Sequence, residues 1–313
     1  MKASPNFRVL LFIILNLASA GISLGSDLKT SFFEVSHGQL LRVGIQKPEN
    51  NDPIEADVLY FHGYGDRIDN HAPLFNQWAN SKFRVIAFDY PSHGESRAGS
   101  IDSYGFMDLA SLALQVEAET REDLNRPLFL AGWSTGGLLA IRLVQTKMYS
   151  KMTRKPKGLI LFAPGVSVYK LIGGDGIIRE NTLTNNPFPP HRGPIKPISP
   201  FVTPVFATRL LANSLFSRYQ NLPPQLPILT FVADKDEDLY VQSAKVKEWV
   251  IDQRFQGATV YGFYCPGSKH EVDNEPWPIG DRVRNIASAF VHLVLQDNEQ
   301  KIRGWGQQSC HYF

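Results

Sequence analysis

Short apolar runs punctuate the chain at Val58–Phe61, Val85–Phe88, Leu128–Ala131, Leu159–Phe162 and Ile228–Val232, and longer amphipathic stretches separate them. None of the runs alternates with polar residues, so each reads as a strand buried on both faces of a mostly parallel sheet. Helices must then cover both faces of that sheet. Two β-rich runs between Thr30 and Ile45 flank Ser36-His37-Gly38, which predicts a hairpin turning at the glycine. Ala258–Tyr264 predicts one more strand. The fold class is therefore α/β, a mostly parallel central sheet with helices on both faces.

About 60 residues separate the strand ending at Phe162 from the one starting at Ile228, against about 2 to 6 in an ordinary connection of this kind. The excess predicts a cap inserted over residues 166–226, irregular from Gly173 to Pro200 and helical after it. Thr203 is placed to cap that helix, Pro204 fits its first turn, and Phe206, Leu210, Leu211 and Leu215 gather on one side.

The chain begins with Lys2 and Arg8, an apolar run Val9–Leu17 and Ala18-Ser19-Ala20, the layout of a secretory signal over residues 1–20. The run is well short of the roughly 20 residues that span a bilayer. Export to a periplasmic, secreted or lumenal compartment is expected, leaving 21–313 as one domain with its cap. Lysine and arginine total 32 against 30 acidic residues, so no basic stripe argues for a nucleic-acid partner. The densest basic cluster, Lys147, Lys151, Arg154, Lys155 and Lys157, reads as a solvated helix end, with weak attraction to anionic lipid as the other reading. Cys265 and Cys310 fall in the exported part. An oxidising compartment permits a bridge between them, which would tie the C-terminal tail to the loop before His270; two unpaired thiols are the alternative.

The sharpest local signal is Gly132-Trp133-Ser134-Thr135-Gly136-Gly137, directly after the strand Leu128–Ala131 and opening the helical pattern Leu138–Val144. A chain turning from strand to helix in so few residues is strained, and flanking glycines make room for the turn while the serine hydroxyl is pushed outward. Free N–H groups and the positive dipole end of the helix lie behind it. A serine is a poor nucleophile until a base takes its proton and a third group orients the base. His270 follows a strand in the loop Cys265–His270 and fits the base. The acid is expected in Asp234-Lys235-Asp236-Glu237-Asp238, at the end of the strand Ile228–Val232; Asp236 is the choice, with Asp234 and Asp238 as competitors. The order Ser134, Asp236, His270 is the one expected for this fold.

Oxyanion donors are expected from the N–H of Thr135 and from Tyr64 in His62-Gly63-Tyr64-Gly65, where glycines let the loop approach a substrate oxygen. His62 is expected to hold the loop. His71, His191, His292 and His311 read as surface or core residues, and no histidine–acid spacing resembles a metal site. Neither a metal nor a cofactor is expected.

With these motifs, and with Asp89-Tyr90-Pro91-Ser92-His93-Gly94-Glu95-Ser96 after the strand Val85–Phe88, residues 31–296 resemble the monoacylglycerol lipase and lysophospholipase branch of the α/β-hydrolases, which includes serine aminopeptidase-like sequences. The resemblance implies an α/β-hydrolase fold, a triad of Ser134, Asp236 and His270, an oxyanion hole of Tyr64 and Thr135, and a small-molecule or lipid acyl ester as substrate. Ala233 stands where such enzymes often have glycine, and Glu237-Asp238 where apolar residues are common. The cap resembles lids of lipid-acting relatives, which implies transient contact with a membrane surface. Its Leu171, Ile172, Phe201, Phe206, Leu210 and Phe216 would line an acyl channel or simply pack the cap. A peptidase and an acyltransferase are the alternative activities, and a non-catalytic binding module is the alternative class.

Overall fold

The computed structural model describes residues 27–36, 38–49, 52–174, 177–179, 182–186, 202–305 and 309–313. The expected signal segment, His191 and Phe201 lie outside them. Among the described residues nine strands form one sheet. In chain order they are β1 (Lys29–Ser36), β2 (Gln39–Gln46), β3 (Ala56–Phe61), β4 (Phe83–Phe88), β5 (Leu128–Trp133), β6 (Pro156–Phe162), β7 (Ile228–Val232), β8 (Val260–Tyr264) and β9 (His311–Tyr312). The spatial order is β1-β2-β4-β3-β5-β6-β7-β8-β9. Strands β3 to β8 run parallel, while β1 and β2 form the expected hairpin and β9 lies antiparallel on β8.

Alternate residues of the buried strands feed two separate cores. Leu59 and Phe61 of β3 join the side covered by α2 (Phe106–Thr120), α3 (Thr135–Gln145) and α7 (Ser243–Phe255). Val58 and Tyr60 join the other, covered by α1 (Ala72–Asn80) and α8 (Ile279–Leu295). This is the two-faced burial the unbroken apolar runs require. Strand β5 extends past Ala131 because Gly132 and Trp133 still pair with Leu161 and Phe162 of β6. Strand β9 carries only two residues, too short for a periodic signal.

Within the cap are α5 (Tyr169–Gly173) and α6 (Pro204–Tyr219), following the short α4 (Lys147–Lys151) of the core. Thr203 caps α6, its Oγ1 accepting from the Phe206 N–H at 3.1 Å. The buried stripe of α6 is Phe206, Leu210, Ser214 and Ser217, so Leu211 and Leu215 are only half-buried and Phe216 is exposed. The inward face is set by the pitch of the helix, which carries two small serines against the core where the leucines were expected.

The expected basic cluster is also corrected. Arg154 is buried, with Nη1 2.7 Å from Asp57 and Nη2 2.7 Å from Glu117. Asp57 is fully buried and also takes Arg84 at 2.8 Å and Arg126 at 3.2 Å. Its carboxylate compensates several guanidinium groups that have little water to turn to. Replacing Asp57 by Ala leaves Arg84, Arg126 and Arg154 with only Glu122 and Glu117 to share, and is expected to cost about 3–5 kcal/mol of unfolding free energy, read by urea denaturation; Lys157→Ala on the exposed side of β6 should cost almost nothing.

Candidate active site

Ser134 sits between β5 and α3 with φ 53° and ψ −117°, a left-handed conformation that a non-glycine residue adopts only when its surroundings impose it. The imposition comes from close packing. A Cβ on Gly136 would lie 2.1 Å from the carbonyl oxygen of Phe61, and one on Gly132 would lie 2.5 Å from the Gly136 backbone. Without side chains at these positions, α3 starts directly against β3, and Ser134 stands at the C-terminal end of the central strand β5. Thr135 occupies the first position of α3, where a backbone N–H has no partner within the helix.

His270 Nε2 lies 2.7 Å from Ser134 Oγ, across 136 residues of chain. Its Nδ1 lies 2.9 Å from Oδ2 of Asp238. The acid beside the histidine is therefore Asp238 and not the expected Asp236. The physical reason is the turn after β7: Asp236 points to solvent, its side chain 77% exposed, while that of Asp238 is 1% exposed. Oδ1 of Asp238 accepts the N–H groups of Tyr240 at 2.9 Å and Val241 at 3.0 Å, leaving Oδ2 for the histidine. Asp234 has a different task, accepting Gly267 N–H at 2.6 Å and so joining the acid turn to the histidine loop. A signal for Asp238 was present in the sequence: it is the last acid before Leu239-Tyr240-Val241, where the chain turns back into the core.

Other side chains fix the histidine without an obvious sequence signature. Trp133 donates its indole N–H to the His270 carbonyl at 2.9 Å, and the rings of Trp133 and Tyr240 lie 5.2 and 5.3 Å from the imidazole. Lys170 of α5 donates to the Lys235 carbonyl at 2.9 Å and to that of Asp238, tying the cap to the acid turn. Cys265 and Cys310 are joined in a disulfide that links the start of the histidine loop to the residue before β9.

Tyr64 is buried on the loop after β3, its ring stacked on Phe206 of the cap at 4.8 Å. His62 behaves as the expected structural residue: Nδ1 donates to the Gly63 carbonyl at 2.7 Å and Nε2 accepts Tyr90 N–H at 3.1 Å. Complete burial pushes its pKa down from 6.5 to about 3. Asp89, first residue of the loop after β4, accepts Ile68 N–H at 2.9 Å and Glu95 N–H at 3.0 Å, with Arg42 Nη1 at 3.2 Å. Burial nevertheless raises its carboxyl to about 6. Of the expected channel residues, Leu171, Phe206 and Leu210 are buried in the core, and Phe216 is exposed. A cavity of about 280 Å³ opens beside Tyr64, bounded by Ser92, His93, Ile101, Asp102 and Thr203 among others.

Comparison with known proteins follows the same outline. The family model described as serine aminopeptidase, S33, matches residues 52–200. A solved structure, a soluble variant of monoglyceride lipase from Saccharomyces cerevisiae in complex with a substrate analog, superposes with a TM-score of 0.66 at 14% identity, covering 86% of this chain and 96% of that one. The chain has the α/β-hydrolase fold. It resembles the monoacylglycerol lipase branch of these proteins. A Mycoplasma pneumoniae protein named as an esterase/lipase is 23% identical over 51% of this chain and 59% of its own length. A Schizosaccharomyces pombe protein named as a monoglyceride lipase is 32% identical over 28% of this chain and 24% of its own. The chain thus spans less than two thirds of either relative.

Two measurements follow from this geometry. Asp238→Asn should slow fluorophosphonate labelling of Ser134 by on the order of 10⁴-fold, because an amide no longer selects the imidazole tautomer; Asp236→Asn should leave the rate unchanged. For His62 the folded state keeps the ring neutral while the unfolded chain takes up a proton below 6.5. Its contribution to stability is present above pH 6.5 and is lost as pH falls toward 3. The melting temperature of His62→Gln should therefore depend on pH less steeply than that of the parent across this window.

Proposed function

We propose that this protein is an exported serine hydrolase that cleaves carboxylic esters through an acyl-enzyme, of the monoacylglycerol lipase or lysophospholipase type. The observation that carries the reading is the continuous chain of contacts from Ser134 Oγ to His270 Nε2 at 2.7 Å and from His270 Nδ1 to Asp238 at 2.9 Å. In this arrangement His270 takes the Ser134 proton during attack and returns it to the leaving alcohol, while Asp238 stabilises the imidazolium that forms. The N–H groups of Thr135 and Tyr64 receive the developing oxyanion, each such donor being worth about 3 kcal/mol of barrier. Water then enters by the same base and releases the acid.

The lipid substrate class is supported by relatives named as monoglyceride lipases and by the resemblance in the motifs. Exposed Phe216 and Tyr219 on α6 give the cap apolar groups for transient contact with a lipid surface. Export is supported by the apolar run Val9–Leu17 and by the disulfide, a bond favoured in oxidising compartments.

A peptidase reading has its own support: the description of the matching family model and the carboxylate of Asp102 in the cavity beside Tyr64, which suits a substrate ammonium group. Labelling of the parent and of Ser134→Ala, followed by an acyl-chain series of glycerol and lysophospholipid esters, separates these. The parent alone should label and should prefer particular chain lengths. Fast release of amino-acid anilides with flat, weak ester cleavage would replace the lipase reading with the peptidase.

A further inference from the structure

Behind the site lies a buried ionisable cluster that the proposed chemistry does not use. Asp66 follows Tyr64 by two residues on the loop after β3, and Asp273 follows His270 by three in a 3-10 turn, Val272–Asn274. His71 stands between them, with Nε2 2.8 Å from Asp66 Oδ2 and Nδ1 2.9 Å from Asp273 Oδ2. His71 and Asp273 are wholly buried and Asp66 nearly so. An ionised carboxylate only accepts, so both ring nitrogens must donate for both contacts to be satisfied, and an imidazole that donates twice is an imidazolium. The direction of its titration agrees: burial opposes the charge, but the two aspartates outweigh burial and hold His71 well above its usual pKa. Burial likewise raises Asp66, yet the His71 charge outweighs it and brings the carboxyl down to about 2.

Every element around the ring contributes a titratable or aromatic group. Tyr60 of β3 places its hydroxyl 3.0 Å from Nδ1, and Phe75 of α1 packs at 6.2 Å. His62 faces Asp66 from the same loop. Glu271 lies on the histidine loop, its carboxyl pushed up by burial toward the neutral form. Asn274 donates to Glu271 at 2.8 Å and to the Asn70 carbonyl at 2.9 Å, a second link between the two loops. Trp133, which holds the His270 carbonyl, lies 5.7 Å from the His71 ring.

We propose that His71 is a positioning residue: as an imidazolium held by Asp66 and Asp273, it locks the loop bearing the Tyr64 oxyanion donor to the loop bearing His270. The proposal rests on the triad reading above and concerns how its two halves keep one relative geometry. The same cluster offers Asp66, His71 and Glu271 atoms within 4.8 Å of one another, a spacing a divalent cation would also suit. A cation would need a lone pair on His71, and the imidazolium has none to give.

Ring ¹⁵N shifts of His71 in the full chain between pH 6 and 9 test the charge without any substitution; both nitrogens should report protonation at pH 7. Metal analysis of protein purified without chelator should find no stoichiometric divalent ion. His71→Gln, which cannot donate to both carboxylates, should lower the ester turnover rate roughly ten- to a hundredfold, the scale of a small misplacement, with KM little changed. Asp273→Asn is the milder variant, keeping a neutral acceptor for Nδ1. Loss of that charge lowers the His71 pKa, so the alkaline fall in kcat should move to lower pH while the acid limb stays put. A neutral His71 ring at pH 7, a bound stoichiometric metal, parental turnover in His71→Gln or an unmoved alkaline limb in Asp273→Asn would each overturn the clamp. Labelling of Ser134→Ala would instead overturn the triad, and the ring shifts would still decide the state of His71.

Discussion

The close approach of β5 and α3 to β3 is the constraint on which the site depends. Helix α3 can start here only because Gly136 places no side chain against β3 and Gly132 of β5 places none against the start of α3, and the turn that results leaves Ser134 at φ 53°. Such a conformation costs about 1–3 kcal/mol and persists only where the surroundings over-determine it. Those surroundings are the interior of a parallel sheet packed on both faces, so the strained residue is held by the stiffest part of the molecule. The strain in turn fixes where the hydroxyl points, and every other member of the site is arranged around that direction.

The remaining members come from loops at the ends of β3, β7 and β8, and loops need tethers that strands do not. The acid turn is folded back by Asp238 accepting two of its own backbone N–H groups, and is tied to the cap by Lys170 and to the histidine loop by Asp234. The loop after β3 is held to its neighbour by His62 and Asp89. Both of these groups are buried, and the loss of water outweighs the nearby Asp66 and Arg42, which is why the histidine is driven neutral and the carboxyl is driven up. The cap meets the core through aromatic stacking of Phe206 on Tyr64, so its packing and the placement of the loop after β3 are one matter.

Much of this was legible in the sequence because its physical cause is local. Unbroken apolar runs mark two-faced burial, and five of them became β3 to β7. Glycines around Ser134 mark a tight strand-to-helix turn, and His270 follows a strand end. The acid was not fixed by the same reasoning, because Asp234, Asp236 and Asp238 are chemically alike and differ only in which way a turn directs them. Arg154 was misplaced for a similar reason: a lysine-rich segment looks solvated until Asp57 and Glu117, distant in sequence, are brought to it. The contact of His71 with Asp273 spans 202 residues and carries no periodic trace at all. Leu215 was expected inward because leucine is apolar, yet the register of α6 turned Ser214 inward instead.

The disulfide closes a covalent ring from Cys265 to Cys310 that contains His270, the turn with Asp273 and all of α8. Trp277, on the stretch between that turn and α8, is strongly exposed. A single backbone cut there would open the ring without releasing either piece, since the sulfur link still joins them. His270 stays joined to β8 through the main chain on the N-terminal side of such a cut, and what the oxidised bridge retains is the C-terminal piece, α8 with β9.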